Sequence, residues 1–245
     1  MTLTHIFFDL HGTLVDNKSV LTPCYAANLG HVMAARYGGD PHTWEQAHQQ
    51  INADWFSYFV DLNLDEDIDD MWEGLFRTTR ALFRLTGTPE PSAAEIHALV
   101  RELPGLASEN CDAFFPDARA TVQTLHEAGY TLGVCTHGIV RQAQGTLHGA
   151  GVRDYFSGPL IGPDVTGHFR KHEGYFTIAA LRAGVDPAHC LMIDDTVDNL
   201  EGAKAIGMKT IYICRDARPA AALNYVDALL HPDLTGLPAL VEGWR

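Results

Sequence analysis

The chain is poor in positive charge: 17 Lys and Arg stand against 31 Asp and Glu, a formal net charge of −14. That excess of acid excludes nucleic acid and anionic membrane surfaces as partners, because both are polyanions held by basic stripes. It does not exclude an anionic small molecule, since a few local cations or a metal ion reverse the field inside one cleft. Long hydrophobic runs are missing as well, so no membrane span is expected. The opening residues Met1 to His5 contain neither a basic segment nor a long apolar one, and no signal peptide is expected. Cysteine is scarce: Cys24, Cys111, Cys135, Cys190 and Cys214 are scattered, odd in number and without metal-ligand spacing. Three of them lie in or beside apolar runs, where cysteine behaves as a small hydrophobe, and a reducing, cytoplasmic setting is expected. No repeat and no low-complexity segment occurs.

What is present is ordinary globular material, 46% hydrophobic and 20% charged over 245 residues, enough for one large domain or a domain with an insertion. The run Ile6-Phe7-Phe8-Asp9-Leu10-His11-Gly12-Thr13 predicts a short buried strand that opens into a tight turn. Asp9 at that strand end fits a turn cap as well as a nucleophile or metal ligand. About a hundred residues follow that carry helical spacing: Thr22 to Tyr37, Trp44 to Phe59, Met71 to Leu85, and a fourth helix capped by Ser92. The aromatic set Trp44, Trp55, Phe56, Tyr58, Phe59, Trp72, Phe76 and Phe83 is expected to be mostly core, with one or two members facing a substrate. The acidic cluster from Asp61 to Glu73 is expected to be a solvated loop and helix N-terminus.

From Phe114 onward strands and helices alternate. Strands are expected over Tyr130 to Thr136, near Tyr155 to Ile161, over Cys190 to Asp194, over Lys209 to Cys214, and near Ala228. Helices are expected from Pro116, after Gly138, over Glu173 to Ala183, over Asn199 to Ile206, and near Leu237. This alternation predicts an α/β fold, a Rossmann-like parallel sheet with helices on both faces. The all-helical stretch is then an insertion, giving a core of residues 1–16 and 114–245 and a helical domain of residues 17–113. Parallel strands deliver Asp9, Thr136, Lys171 and the pair Asp194-Asp195 to one edge of the sheet. A carboxylate nucleophile, a hydroxyl, a fixed cation and two acids for a divalent ion are what phosphoryl transfer needs.

These residues carry a resemblance to the haloacid dehalogenase superfamily of hydrolases. Its Asp-x-Asp-Gly-Thr loop is matched by Asp9-Leu10-His11-Gly12-Thr13, and its Ser/Thr strand end by Val134-Cys135-Thr136-His137-Gly138. Its lysine is matched by Lys171-His172, and its acidic motif by Asp194-Asp195-Thr196-Val197-Asp198-Asn199. The resemblance implies a phosphatase acting on a small phosphorylated metabolite through an aspartyl-phosphate on Asp9, with the helical insertion as a substrate-selecting cap. It implies phosphate contacts from Thr13, Thr136, His137, Gly138 and Lys171. Magnesium is implied at Asp9, the main-chain carbonyl of His11, Asp195 and, through water, Asp194. Asn199 either orients these groups or caps a helix. A monomer or homodimer is expected.

One position departs from the pattern. Where the family's phosphatases have an acid–base Asp, this chain has His11. An imidazole with its ordinary pKa near 6.5 can make the same two proton transfers, and the alternative is that His11 marks another chemistry or a lost one. A dehalogenase or a phosphonatase is disfavoured, the first by the intact acid pair and the second because Lys18 is the only lysine in the insertion. A non-catalytic binding protein would have little use for the whole ordered set. A transition-metal site built from His11, His137 and His172 has no ligand spacing to support it.

Overall fold

The computed structural model describes residues 2–64, 68–216 and 224–244. Six strands form one parallel sheet: β1 (His5–Phe8), β2 (Thr131–Cys135), β3 (Leu160–Ile161), β4 (Cys190–Asp194), β5 (Lys209–Ile213) and β6 (Ala228–Leu230), in the order β3-β2-β1-β4-β5-β6. The central strands are apolar without alternation because both faces are covered. Ile6, Phe8, Leu132, Val134, Leu191 and Ile193 pack into one core cluster, while Phe7, Cys135, Cys190 and Met192 pack into another on the opposite face. The covering helices are α5 (Pro116–Glu127), α6 (Val140–Gly149), α7 (Pro163–Thr166), α8 (Glu173–Ala183), α9 (Val197–Ala205) and α10 (Leu237–Glu242). One expectation for this region, the strand near Tyr155 to Ile161, needs correction. Tyr155 lies in a 3₁₀ turn, Arg153–Tyr155, and the strand after it is only Leu160–Ile161, an edge strand too short to register as a pattern.

Between β1 and α5 the chain forms α1 (Thr22–Tyr37), α2 (Pro41–Ala53), α3 (Ile68–Thr86) and α4 (Ala93–Ser108). These helices bury their own cluster, with Leu29, Met33, Trp44, Ile51, Phe83, Leu99 and Leu103 at its centre. Ser92 caps α4 through a reciprocal box with Glu95, as its spacing suggests. The expected helix from Trp44 to Phe59 is instead broken: α2 ends at Ala53, and Trp55–Tyr58 is a separate 3₁₀ turn. Of the aromatics there, Trp44 and Phe83 are fully buried, whereas Phe56 is 84% exposed. Beyond the break Trp55 and Phe59 line a cavity, and Trp55 also packs against the edge of the cluster. The acidic stretch 61–73 falls partly outside the described residues.

The two crossings between the helical block and the sheet run side by side. The Asp16 N–H donates to Ala113 O and the Phe115 N–H to Leu14 O, both at 2.9 Å. Near these crossings Cys24 and Cys111, 87 residues apart in sequence, form a disulfide. This corrects the reading of the cysteines as uniformly reduced; Cys135, Cys190 and Cys214 keep their thiols and are buried as expected. Among the described residues no helix is long and apolar enough to cross a membrane.

Candidate active site

Register brings the acids together. Phe8 pairs with Val134 on one side and Ile193 on the other, so Asp9, Cys135 and Asp194 stand one residue further along three adjacent strands. The strand order reverses at β1, and ligands of open parallel sheets bind at such a switch point, beyond the strands' carboxyl ends. The Asp9 N–H donates to Ile193 O at 2.9 Å, which pins the start of the loop to β4.

Lys171 is the buried cation of the cluster. Its Nζ donates to Asp9 Oδ1 at 2.5 Å and to Asp194 Oδ2 at 2.9 Å, and it is only 1% exposed. Burial opposes its charge, but Asp194 and Asp9 beside it hold it above the ordinary lysine range. Asp194 is fixed further by the Thr196 N–H at 2.8 Å and by Asn199 Nδ2 at 3.1 and 3.2 Å. Asn199 therefore orients an acid rather than capping α9, whose N-cap is Thr196. Carboxylate oxygens of Asp9, Asp194 and Asp195 all lie within 4.8 Å of one another.

Three carboxylates face one lysine, and burial raises all three, with neighbouring acid charge adding to it at Asp194 and Asp195. Burial, and then the Asp9 and Asp194 charges, push Asp195 up to about 7. Burial first, with Lys171 opposing it and Asp9 adding to it, pushes Asp194 up to about 6. Asp9 is raised by burial, against the pull of Lys171. An all-oxygen set with surplus negative charge fits a hard divalent cation, which would replace protons at these positions. Gly12 makes room for the Asp195 carboxylate: at φ +86°, a Cβ there would lie 2.1 Å from Asp195 Oδ2. Among the described residues these acids are the one cluster of three or more metal-ligating side chains. His172 is occupied elsewhere; its Nδ1 accepts the Gly174 N–H at 2.9 Å at the start of α8.

The neighbouring loops are also built from hydrogen bonds. Thr136 is fully buried, and its Oγ1 accepts the Gly138 N–H at 3.2 Å. Its carbonyl accepts the Tyr175 hydroxyl at 2.9 Å, and the same hydroxyl reaches Ile161 O at 2.8 Å. Thr13 is fully buried, with a hydroxyl that finds no partner among the described residues. Its carbonyl accepts Arg215 Nη2 at 2.6 Å, while Arg215 Nε donates to Gly12 O at 3.1 Å and its guanidinium also grips Asp117 at 3.1 Å. Sequence reasoning missed Tyr175 and Arg215. Neither belongs to a motif of its own, and only the position of Arg215 just beyond β5 hinted at the strand-end edge.

His11, His137 and Gly138 open onto a cavity of about 520 Å³ whose far wall is helical. A Cβ on Gly138 would sit 3.7 Å from His11 Cε1, so the two loops meet here. Burial, and then the Lys171 charge, lower His11 to about 4; burial, then Lys171 and His11, lower His137 to about 3. Both imidazoles are therefore neutral at pH 7.

Against known proteins, the model of the haloacid dehalogenase-like hydrolases matches residues 3–207. A probable phosphatase, IndB, from Dickeya dadantii is 28% identical over 207 residues, covering 84% of this chain and 79% of that protein. A phosphoglycolate phosphatase from Salmonella paratyphi A is 26% identical over 246 residues, covering 96% of this chain and 91% of its own length. The crystal structure of a 2-haloacid dehalogenase from Pseudomonas syringae pv. Tomato superposes with a TM-score of 0.64 at 22% identity, covering all of both chains. That last likeness concerns the fold alone.

Proposed function

The chain belongs to the haloacid dehalogenase-like hydrolases, and from that membership we propose that it is a magnesium-dependent phosphatase of small phosphate monoesters, with residues 17–113 as a cap over the site. The observation that carries this reading is the imbalance at the strand ends, three acids against Lys171, with Asp195 raised to about 7. A dehalogenase attacks a carbon–halogen bond and has no need of that surplus charge. The phosphatase-named relatives support the same reading.

In the proposed reaction an Asp9 carboxylate oxygen attacks phosphorus, the P–O bond to the alcohol breaks, and the alcohol oxygen takes a proton. Water then attacks phosphorus of the aspartyl-phosphate, gives up a proton, and inorganic phosphate leaves as Asp9 is restored. Lys171 favours the ionised form of Asp9 against the effect of burial and offsets phosphate charge. Thr136, Gly138 and the neighbouring backbone amides shape the phosphate seat once Gly138 exchanges its bond to Thr136 for one to substrate. Asp9, Asp195, Asp194 and the His11 carbonyl would hold magnesium, which when bound supplies further charge neutralisation at the phosphoryl oxygens. His11, neutral in the free site, is ready as the base of the second half-reaction. For the first it needs a proton, and an arriving phosphate anion raises its basicity.

The test is release of inorganic phosphate from a panel of monoesters with magnesium and with chelator, across pH 5–9, beside an Asp9→Asn control. Metal-dependent release well above the control is expected. Release indistinguishable from the control throughout would sink the phosphatase reading.

A further inference from the structure

The cavity between the strand-end loops and the helices is much larger than a phosphate needs, and its volume of about 520 Å³ is that of a site for a drug-sized group. Its walls are mostly apolar and aromatic: Leu21, Tyr25, Trp55, Phe59, Met71 and Leu75 face it from the helical side, with the neutral polar side chains of Asn17, Thr22, Asn52 and Gln142 among them. On the sheet side Phe169 lies 5.4 Å from the His137 ring and continues that surface. A second pocket of about 70 Å³ shares Tyr25, His48, Trp55 and Leu75 with it and reaches among Leu29, Ile51 and Leu82. The space therefore extends into the apolar cluster of the helices.

Among the described residues no Lys or Arg lines either cavity. Arginines of the helical block are committed elsewhere: Arg77 to Asp61 and Glu73, Arg80 to Glu90, and Arg36 to Glu102. His48 is at the cavity wall, its ring tilted against Tyr25 with centroids 5.2 Å apart, and its buried Nδ1 has no partner among the described residues. Burial lowers it to about 4, so it offers a neutral hydrogen-bonding nitrogen and no charge. A carboxylate brought into such a space would exchange its hydration for neutral amide and hydroxyl donors alone, with no cation to balance its charge. A ring or alkyl group would instead exchange water for Trp55, Phe59 and Leu75.

We propose that this cavity selects phosphate esters of neutral, apolar alcohols, aromatic or branched, and rejects esters whose alcohol carries a carboxylate. The proposal rests on the phosphatase reading for its chemistry and on the cavity for its selectivity, so the two are tested separately.

Benzyl phosphate and 4-carboxybenzyl phosphate have nearly the same leaving group and differ in the remote carboxylate, so their kcat/KM ratio isolates the cavity. With magnesium present, at least a 30-fold preference for benzyl phosphate is expected, chiefly in KM. A Leu75→Arg variant is expected to shrink that ratio at least tenfold, and Trp55→Ala to raise KM for benzyl phosphate more than for 2-phosphoglycolate. A ratio near one, or a preference for the carboxylated ester, would overturn the proposal. Binding is followed in parallel by saturation-transfer NMR of 2-naphthalenemethanol and its 6-carboxylate analogue on the intact protein. At least tenfold tighter binding of the neutral alcohol supports the proposal even if no ester is hydrolysed, in which case only the phosphatase reading fails. Equal binding, or tighter binding of the acid, overturns the proposal whatever the hydrolysis result.

Discussion

At the scale of single residues, His11 and Asp195 carry the chemistry that distinguishes this chain. An imidazole held near 4 in the free site is a competent base at neutral pH but a scarce acid, and an acid matters most when the leaving alcohol is a poor one. Burial, which lowers the imidazole here and raises the Asp195 carboxyl in the same site, favours a protonated carboxyl at this position. His11→Asp is therefore expected to speed hydrolysis of alkyl phosphates about tenfold or more, on the scale of general acid catalysis, and to change aryl phosphates much less. Steady-state kinetics on a matched ester series would check this; lowered turnover with an unmoved pH profile would remove His11 from the proton transfers. Asp195, held near 7 against its ordinary 3.8, binds more protons folded than unfolded between those values. Its stabilising contribution is complete below pH 3.8 and is lost as pH rises through 7. In metal-free protein Asp195→Asn should therefore gain roughly 1–2 kcal/mol at pH 8 and much less at pH 5, after allowing for the partial exposure of the group. Urea denaturation in chelator at the two pH values measures the difference, and repeating it with magnesium should show wild type stabilised and the variant scarcely moved.

At the scale of elements, the loop from Asp9 to Val15 is held by a strand end it never touches in sequence. Arg215, just past β5, stacks 3.7 Å over Phe115, grips Asp117 and donates to the Gly12 and Thr13 carbonyls. Removing it takes the donor from the Gly12 and Thr13 carbonyls and leaves Asp117 with the Leu234 N–H but without its cation. Arg215→Ala should therefore cost about 2–4 kcal/mol and lower kcat as the Asp9 loop loosens. Arg215→Lys should recover little, because a point charge cannot replace the planar fork; thermal melts beside kinetics of both variants test this. The strands themselves were legible, since runs such as Cys190-Leu191-Met192-Ile193 are buried on both faces and announce it. The 3₁₀ break at Trp55 was not, because apolar spacing continues across it while the backbone hydrogen bonds do not.

At the scale of the whole molecule, the helical block rests on the sheet domain through glycines. A Cβ on Gly145 of α6 would meet Gly105 O of α4 at 2.3 Å, and one on Gly149 would meet Ser108 O at 2.6 Å. Gly145→Leu should push α4 away, costing about 1–3 kcal/mol by overpacking. Because the far wall of the cavity belongs to the same block, KM should rise more than kcat falls. A melt combined with Michaelis kinetics on benzyl phosphate separates the two effects, and an unchanged KM would mean that the block does not shape the substrate site.

The sequence by itself determined the sheet, the helical insertion and the placement of Asp9, Thr136, Lys171 and Asp194 at one edge. Apolar runs mark buried strands, and strand–helix alternation makes them parallel, so their carboxyl ends share an edge without further information. Only the tertiary structure decided that Cys24 meets Cys111, that Arg215 and Tyr175 brace the loops, that His11 is neutral, and that the cavity wall lacks a cation. Each of those depends on which distant side chains become neighbours and how much water they exclude. Ionisation and complementarity follow from that environment, and a residue's type and spacing do not contain it.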